Sequence, residues 1–199
     1  MDTAFSMVIL AGGQSRRMGY DKADLLCGRQ TFLECQIQKA RQLGIGDILV
    51  SGYHGMATPT ARIIPDRFPD RGPLGGLETC LRAAAHEKCL VLSVDIPLAP
   101  VAELERLMEQ SLAASAPVTI LESHGREQPL IGVYDRSLSD AMLREITGHK
   151  GSVFALIRRV GYEVYESPAH PRLFSNINTP EEYQAALCGT EENDPAVFR

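Results

Sequence analysis

The 199-residue chain lacks the features that mark several common classes of protein. No apolar run approaches the roughly 18–20 residues that cross a membrane. The first residues, MDTAFS, have neither the basic start nor the apolar core of a secretory signal. The net charge of −5 gives no electrostatic support for coating a nucleic acid. These absences predict a cytoplasmic protein with no membrane and no nucleic acid among its partners.

The five cysteines show no pattern of a metal or redox centre. None forms a Cys-x-x-Cys pair, and none is flanked by histidines at zinc-binding spacing. We therefore expect reduced thiols, most of them buried. The chain also lacks a Ser-His-Asp or Cys-His arrangement for nucleophilic catalysis, and its histidines are scattered, so we assign none of them a catalytic role.

An alternation of strand and helix patterns runs along the chain. Hydrophobic residues make up 44% of it, which is enough for a core. Short apolar runs predict strands at residues 7–10, 48–50, 62–64, 89–94, 118–121, 130–134 and 163–165. Helical spacing predicts helices at residues 31–43, 74–85, 102–112, 138–146 and 153–159, with a last helix beginning at Thr179.

This alternation predicts an α/β fold with three layers, in which helices cover both faces of a mostly parallel, Rossmann-like sheet. A turn at residues 124–126 joins two of the strands as in a hairpin and adds a small antiparallel element. The length fits one domain. We expect that domain over residues 1–190, followed by a frayed acidic tail over residues 191–199.

The glycine turn after the first strand indicates a phosphate site. The apolar run ends at Ala11-Gly12-Gly13, where glycine lets the backbone approach a ligand closely. Three cations, Arg16, Arg17 and Lys22, follow within a few residues. Taken alone, one strand and one turn also fit a plain turn before a solvated basic loop. With its cations the stretch predicts a nucleoside triphosphate site.

Spacing excludes two common phosphate-binding loops. A Walker A loop has four residues between its glycines and then Gly-Lys-Ser/Thr, whereas five residues separate Gly13 from Gly19 here. The dinucleotide fingerprint Gly-x-Gly-x-x-Gly is absent, because Gly12 and Gly13 are adjacent.

Carboxylates follow two other predicted strands. Ligands of open α/β sheets bind beyond the carboxyl ends of the strands, and Asp66 and Asp95 come just after such ends. A carboxylate there needs a positive partner, and Mg²⁺ takes one or two carboxylates together with substrate phosphates. The alternative for Asp95 is an N-cap of the helix that begins near Pro100. On the residues alone both roles of Asp95 stay open.

The whole stretch resembles the motif Leu-Ala-Gly-Gly-x-Ser-x-Arg-Met-Gly-x-Asp-Lys of nucleotidyltransferases that attach a nucleoside monophosphate to a phosphorylated acceptor. Among them it is most similar to the molybdenum cofactor guanylyltransferases. The other segments that match the family's motifs, in the family's order, are residues 72–77, 95–97 and 176–180. The resemblance covers roughly residues 7–187 and implies the nucleotidyltransferase fold.

The resemblance implies a reaction and a set of residues. GMP would pass from GTP to the phosphate of the molybdopterin (molybdenum) cofactor, with Mg²⁺ bound at Asp95. The catalytic residues would be Arg17, acting on the leaving pyrophosphate, together with Lys22 and Asp95. The implied nucleotide-binding residues are Leu10, Ala11, Gly12, Gly13, Lys22, Ser51, Asp66, Gly75 and Asp95. Asn176 and Asn178 would bind the acceptor, and partner proteins would be molybdoenzymes or other proteins of cofactor biosynthesis.

Some of these positions also have structural explanations. Residues 72–76 also fit a glycine-rich helix start that permits close packing, and Asn178 and Thr179 also fit a cap of the final helix. Ser51 departs from the family, where guanylyltransferases often carry asparagine, so it offers the base fewer hydrogen-bonding groups.

Three other functions stay open on the sequence. The first is a CTP-dependent molybdenum cofactor cytidylyltransferase; those relatives usually carry Leu-Ala-Ala-Gly, so Gly13 favours guanine. The second is a sugar-phosphate nucleotidyltransferase, for which the chain is short. The third is a nucleotide- or cofactor-binding carrier without turnover, which need not keep both Lys22 and Asp95.

Overall fold

A seven-stranded sheet forms the centre of the computed structural model, which describes residues 4–12, 21–55, 59–68, 71–148, 151–178 and 182. The strands are β1 (Phe5–Leu10), β2 (Leu26–Cys27), β3 (Gln30–Thr31), β4 (Asp47–Ser51), β5 (Arg62–Ile64), β6 (Lys88–Ser93), β7 (Val118–Ser123), β8 (Arg126–Asp135) and β9 (Glu163–Glu166). The spatial order is β5-β4-β1-β6-β8-β7-β9, and β2 and β3 pair separately. Only β8 runs antiparallel to its neighbours in the large sheet. The predicted α/β fold is confirmed.

Five helices lie within two residues of their predicted bounds: α1 (Phe32–Gln42), α2 (Gly72–Ala83), α3 (Val101–Ala113), α4 (Ser139–Gly148) and α5 (Val153–Val160). The predicted hairpin is the β7–β8 pair. The β2–β3 pair was not predicted. Apart from Glu182, the helix expected from Thr179 lies outside the described residues, as do the acidic tail and Cys188. In the described part of the chain, no helix is both long and apolar enough to cross a membrane.

Local sequence explains where α1 begins and ends. Thr31 accepts a hydrogen bond from the Glu34 backbone N–H, and the Glu34 carboxylate accepts one from Thr31 in return. This capping box satisfies two amides that would otherwise lack partners. At the other end Gly44 takes a φ of 70°, a conformation that glycine adopts without strain.

Two apolar cores cover the two faces of the sheet. Because side chains alternate along a strand, Met7 and Ile9 of β1 pack with α1 and α3, whereas Val8 and Leu10 pack with α2, α4 and α5. All six residues of β1 are buried. The four cysteines within the described ranges are free thiols, and three of them are buried, as predicted.

Four parallel strands end at the same level. Leu10 of β1 pairs with Ser51 of β4 and with Ser93 of β6, and Ser51 pairs with Ile64 of β5. The segments that follow these residues therefore emerge along one edge of the sheet. That edge carries the predicted site.

Candidate active site

The glycine loop after β1 crosses the segment after β4. The backbone N–H groups of Ala11 and Gly12 both donate to the Ser51 carbonyl, at 2.9 and 3.1 Å. A Cβ atom on Gly52, whose φ is 75°, would overlap the Gly12 Cα and lie 2.6 Å from the Gly12 nitrogen. The two backbones are thus in contact: Gly52 has no room for a side chain, and a Cβ on Gly12 would lie a tight 3.1 Å from the Gly52 Cα. Gly13 and Arg17 lie outside the described residues.

Lys22 and Asp95 form an ion pair at this edge. The Lys22 Nζ lies 3.0 Å from Asp95 Oδ2 and 2.5 Å from the side-chain oxygen of Asn178. The other carboxylate oxygen of Asp95 accepts a hydrogen bond from Ser93, at 2.5 Å. The side chains of Lys22 and Asp95 are only 18% and 13% exposed, so the pair is partly desolvated. In the chain, Lys22 is 73 positions from Asp95 and 156 positions from Asn178, so the cluster joins three distant segments.

The main chain fixes the elements that carry this cluster. The Ile177 N–H donates to the Asp95 carbonyl at 2.9 Å, which brings the 176–178 segment beside Asp95. Asp21 caps the short 3-10 helix Lys22–Asp24, and the Tyr53 hydroxyl donates to Asp24 at 2.9 Å. The segment that bears Lys22 is therefore attached to the segment after β4. Asn176 is exposed beside the cluster.

The helix-cap alternative for Asp95 is excluded by the geometry. The residue before α3 is Pro100, and no side chain caps that helix. Asp95 lies five residues before Pro100, and its carboxylate contacts Lys22 and Ser93 instead.

Asp66 and Gly75 meet at the end of β5. Asp66 Oδ1 accepts a hydrogen bond from the Phe68 N–H at 2.8 Å, which closes a tight turn. A Cβ on Gly75 would lie 2.8 Å from the Phe68 carbonyl oxygen and 3.4 Å from Asp66 Oδ1. Glycine at position 75 therefore lets α2 pack directly against this turn, while the Asp66 side chain stays at the exposed edge.

The Ser51 side chain faces α2. Ser51 is 3% exposed, and a Cβ on Gly76 would overlap its hydroxyl oxygen. The group that Ser51 turns toward the glycine loop is its backbone carbonyl. A hydrogen bond between its hydroxyl and a base stays a prediction that this geometry does not favour.

Two polar residues of α1 beneath Asp95, Gln36 and Lys39, were not among the predicted site residues. Gln36 is fully buried, and Lys39 is 8% exposed. Burial lowers the pKa of Lys39 to about 8, partly offset by the neighbouring thiols of Cys35 and Cys27. Gln36 and Lys39 lie inside the apolar stripe of α1. That position could have indicated a structural role from the sequence, because polar side chains on a core-facing stripe need hydrogen-bond partners.

The predicted residues thus gather in three groups along the edge: Leu10, Ala11, Gly12 and Ser51; Lys22, Asp95 and Asn178; and Asp66 with Gly75. Among the described residues, no three His, Cys, Asp or Glu side chains converge as a metal cage would require. A metal ion here would have Asp95 as its carboxylate ligand and would need other ligands from a substrate.

Comparison with known proteins identifies the family of the chain. Residues 7–164 match the family described as MobA-like NTP transferase domain. A probable molybdenum cofactor guanylyltransferase of Pelotomaculum thermopropionicum is 34% identical, over 94% of this chain and 93% of the relative. One from Carboxydothermus hydrogenoformans is 31% identical, over 92% and 94%.

A solved structure shares the fold. The molybdopterin-guanine dinucleotide biosynthesis protein A of Archaeoglobus fulgidus superposes with a TM-score of 0.75 at 21% identity, covering 94% of this chain and all of that one. The family match spans more than half of the chain, and both relatives exceed 30% identity over nearly its whole length. The chain therefore belongs to the MobA-like NTP transferase family and is a nucleotidyltransferase.

Proposed function

We propose that this protein transfers GMP from GTP to the terminal phosphate of the molybdopterin cofactor, releasing pyrophosphate and forming the guanine dinucleotide. The observation that carries the proposal is the Lys22–Asp95–Asn178 cluster at the strand ends beside the Gly12 loop. It places a cation and a carboxylate next to a backbone that a phosphate can approach. The relatives are named probable molybdenum cofactor guanylyltransferases, and these names support guanine and the molybdenum cofactor as substrates.

The donor set fits Mg²⁺. Asp95 supplies hard carboxylate oxygens, and Mg²⁺ prefers one or two carboxylates plus the phosphates of its substrate to a cage made by protein alone. When bound, the ion would neutralise charge on the reacting phosphates. Lys22 already contacts Asp95 Oδ2 and carries three donors. We infer that it turns toward the triphosphate as GTP binds, which leaves that oxygen for the metal.

The protein itself positions and stabilises the reactants. An oxygen of the acceptor's phosphate attacks the α-phosphorus of GTP, and the bond from that phosphorus to the departing pyrophosphate breaks. Lys22, and Arg17 from outside the described residues, would stabilise the negative charge that develops. Asn178 contacts Lys22 directly, so an acceptor bound at Asn176 and Asn178 would lie beside the reacting phosphates.

Base recognition would fall to Asp66 and to backbone groups of the Gly12 loop and Gly75. The Asp66 side chain has one oxygen in the turn to Phe68 and lies at the exposed edge, where a carboxylate can accept from the N–H groups of guanine. Ser51 would act through its carbonyl, which holds the Ala11 and Gly12 amides. Molybdoenzymes or other cofactor-biosynthesis proteins would receive the product.

Two measurements test the proposal. GTP with Mg²⁺ should raise the melting temperature more than CTP does, and mixing GTP, Mg²⁺ and molybdopterin cofactor should release pyrophosphate. Preferential stabilisation and turnover with CTP would instead identify a cytidylyltransferase. Binding of both substrates without pyrophosphate would overturn the proposed reaction.

A further inference from the structure

A tight turn holds Asp95 at the end of β6. The Ile96 N–H donates to the Ser93 carbonyl at 3.4 Å, so residues 93–96 fold back on themselves with Asp95 inside. The bond is long, and Ser93 and Asp95 also share a side-chain hydrogen bond. The main-chain bond that closes the turn is thus weak, and contacts from other segments, such as the Ile177 N–H to the Asp95 carbonyl, add to it.

The side chain of Gln36 connects both ends of this turn. Its amide nitrogen donates to the Ser93 carbonyl at 3.1 Å and to the Ile96 carbonyl at 2.9 Å. Gln36 is 0% exposed, so water does not compete for these bonds. The two protons of one amide group thus hold the two residues that flank the segment with Asp95.

Lys39 completes the arrangement one turn further along α1. Its Nζ donates to the Pro97 carbonyl at 2.6 Å and to the Gln36 side-chain oxygen at 3.1 Å. The ammonium can only donate, and so the Gln36 oxygen must face Lys39 and its nitrogen must face the turn. Lys39 therefore fixes the orientation of the amide that holds the turn.

This polar pair is costly where it lies. It is buried within the core that also contains Phe32, Leu33 and Ile37, and burial disfavours polar groups unless they are hydrogen-bonded. The hydrogen bonds that offset this cost go to the backbone carbonyls of residues 93, 96 and 97. All three lie within two residues of Asp95.

We propose that Gln36 and Lys39 are positioning residues that hold the Asp95 turn, and with it the metal-binding carboxylate, from the core side of the sheet. The inference rests on the proposed function, in which Asp95 holds the metal ion. Both side chains are buried, so they would act on the site through the turn. Groups that orient a metal ligand typically change metal affinity or activity by about 10–100-fold when they are removed.

The test compares Gln36→Met with Gln110→Met in the full-length protein. Methionine keeps the length of the side chain and removes the donors. Gln110 supplies the control because its amide also donates to a backbone carbonyl, that of Val164 at 2.9 Å, but on α3 and away from the Asp95 turn. Gln36→Glu is the second variant, for use if Gln36→Met does not fold. It keeps an acceptor for Lys39 but has no amide protons for the turn.

We expect Gln36→Met to lower kcat about 10–100-fold and to weaken Mn²⁺ binding to the GTP complex by a similar factor. GTP affinity measured without metal should change by less than about threefold, because the nucleotide's own contacts are intact, whereas the KM for GTP in the presence of the metal should rise together with the loss of metal affinity. Hydrogen exchange of residues 93–98 should accelerate in the free protein. Lys39→Met should show the same pattern to a smaller extent, because the Gln36 bonds remain.

The outcomes separate the two proposals. If wild-type protein shows no metal-dependent reaction with GTP, the proposed function fails, whatever the variants do. If wild-type protein reacts and Gln36→Met matches Gln110→Met in kcat, Mn²⁺ affinity and exchange, the positioning role is wrong. A loss of thermal stability with unchanged Mn²⁺ affinity would also contradict it, because a purely structural residue behaves in that way.

Discussion

The carboxylate of Asp95 divides its two oxygens between Lys22 and Ser93. Asp95→Asn keeps the size of the side chain and removes the charge that would pair with the metal. Metal catalysis supplies several kcal/mol, and each ~1.4 kcal/mol is tenfold in rate, so turnover should fall by roughly two or more orders of magnitude. GTP should still bind, more weakly and with less dependence on Mg²⁺.

The control for this variant is Asp140→Asn. Asp140 pairs with Arg82 on the surface of α4, and its side chain is 70% exposed. Steady-state pyrophosphate release should be unchanged in Asp140→Asn. Near-normal turnover in folded Asp95→Asn would place the metal elsewhere.

Gly52 shows how little space the glycine loop leaves. Alanine there would adopt a φ of 75° and would also overlap the backbone of Gly12. Gly125 has nearly the same φ, 77°, with no atom within 4 Å of an added Cβ. Gly125→Ala should therefore lower the free energy of unfolding only by the conformational cost, about 1–2 kcal/mol. Gly52→Ala should lower it by more and should also weaken GTP binding.

Denaturant unfolding and isothermal titration with GTP check this pair of variants. Equal loss of stability in the two variants, with unchanged GTP affinity in Gly52→Ala, would show that the crossing of the two loops is not needed for the site.

At the scale of elements, α2 holds the Asp66 turn through a buried carboxylate. Glu78 is 0% exposed and lies 3.1 Å from an Arg67 nitrogen and 2.8 Å from the Arg82 Nε. The neighbouring Thr79 hydroxyl donates to the Gly75 carbonyl and accepts a long bond from the Arg67 N–H. Arg67 directly follows Asp66, so the two contacts connect the helix to the turn.

Removing Arg67 and Arg82 should lower the free energy of unfolding more than neutralising Glu78 does. In Arg67→Met/Arg82→Met the buried Glu78 carboxylate has no cation, which costs about 3–5 kcal/mol. In Glu78→Gln the two arginines, 47% and 39% exposed, can turn to water. The free energy of unfolding measured in urea should therefore be lower for the double variant than for Glu78→Gln. The opposite ranking would contradict this account.

Helices were the elements best predicted by the sequence, for a local reason. The spacing of Leu33, Ile37 and Ala40 and the stop at Gly44 are properties of adjacent turns, and α1 follows them. The β2–β3 pair escaped prediction because two-residue strands carry no periodicity. The antiparallel direction of β8 between β6 and β7 was visible only in part, as a hairpin.

At the scale of the whole molecule, Lys39 makes stability depend on pH. Its pKa falls from the ordinary 10.5 to about 8 because burial disfavours the charged form. Below pH 8 the amine is protonated in the folded and the unfolded chain, and the full cost of burying the charge is present. As pH rises from about 8 to 10.5 the folded protein releases its proton first, and the cost disappears. This shift corresponds to about 3 kcal/mol.

Lys39→Met removes that titration. The free energy of unfolding of the wild type, relative to Lys39→Met, should therefore increase by up to about 3 kcal/mol between pH 8 and 10.5. Chemical denaturation of both proteins at several pH values measures the difference. A constant difference across that range would show that Lys39 keeps an ordinary pKa.

The sequence by itself determined the layers of the fold, and it predicted the candidate site at one edge of the sheet with the glycine, lysine and aspartate that mark it. These follow from local patterns: apolar runs that end in polar or glycine residues, and the rule that ligands of parallel sheets bind at the carboxyl ends. Only the tertiary structure decided that Lys22, Asp95 and Asn178 touch, that the Ser51 hydroxyl faces α2, and that Gln36 lies beneath Asp95. Such contacts join residues as far as 156 positions apart. The direction in which a side chain points depends on how the layers pack, and neighbours in the sequence do not record that packing.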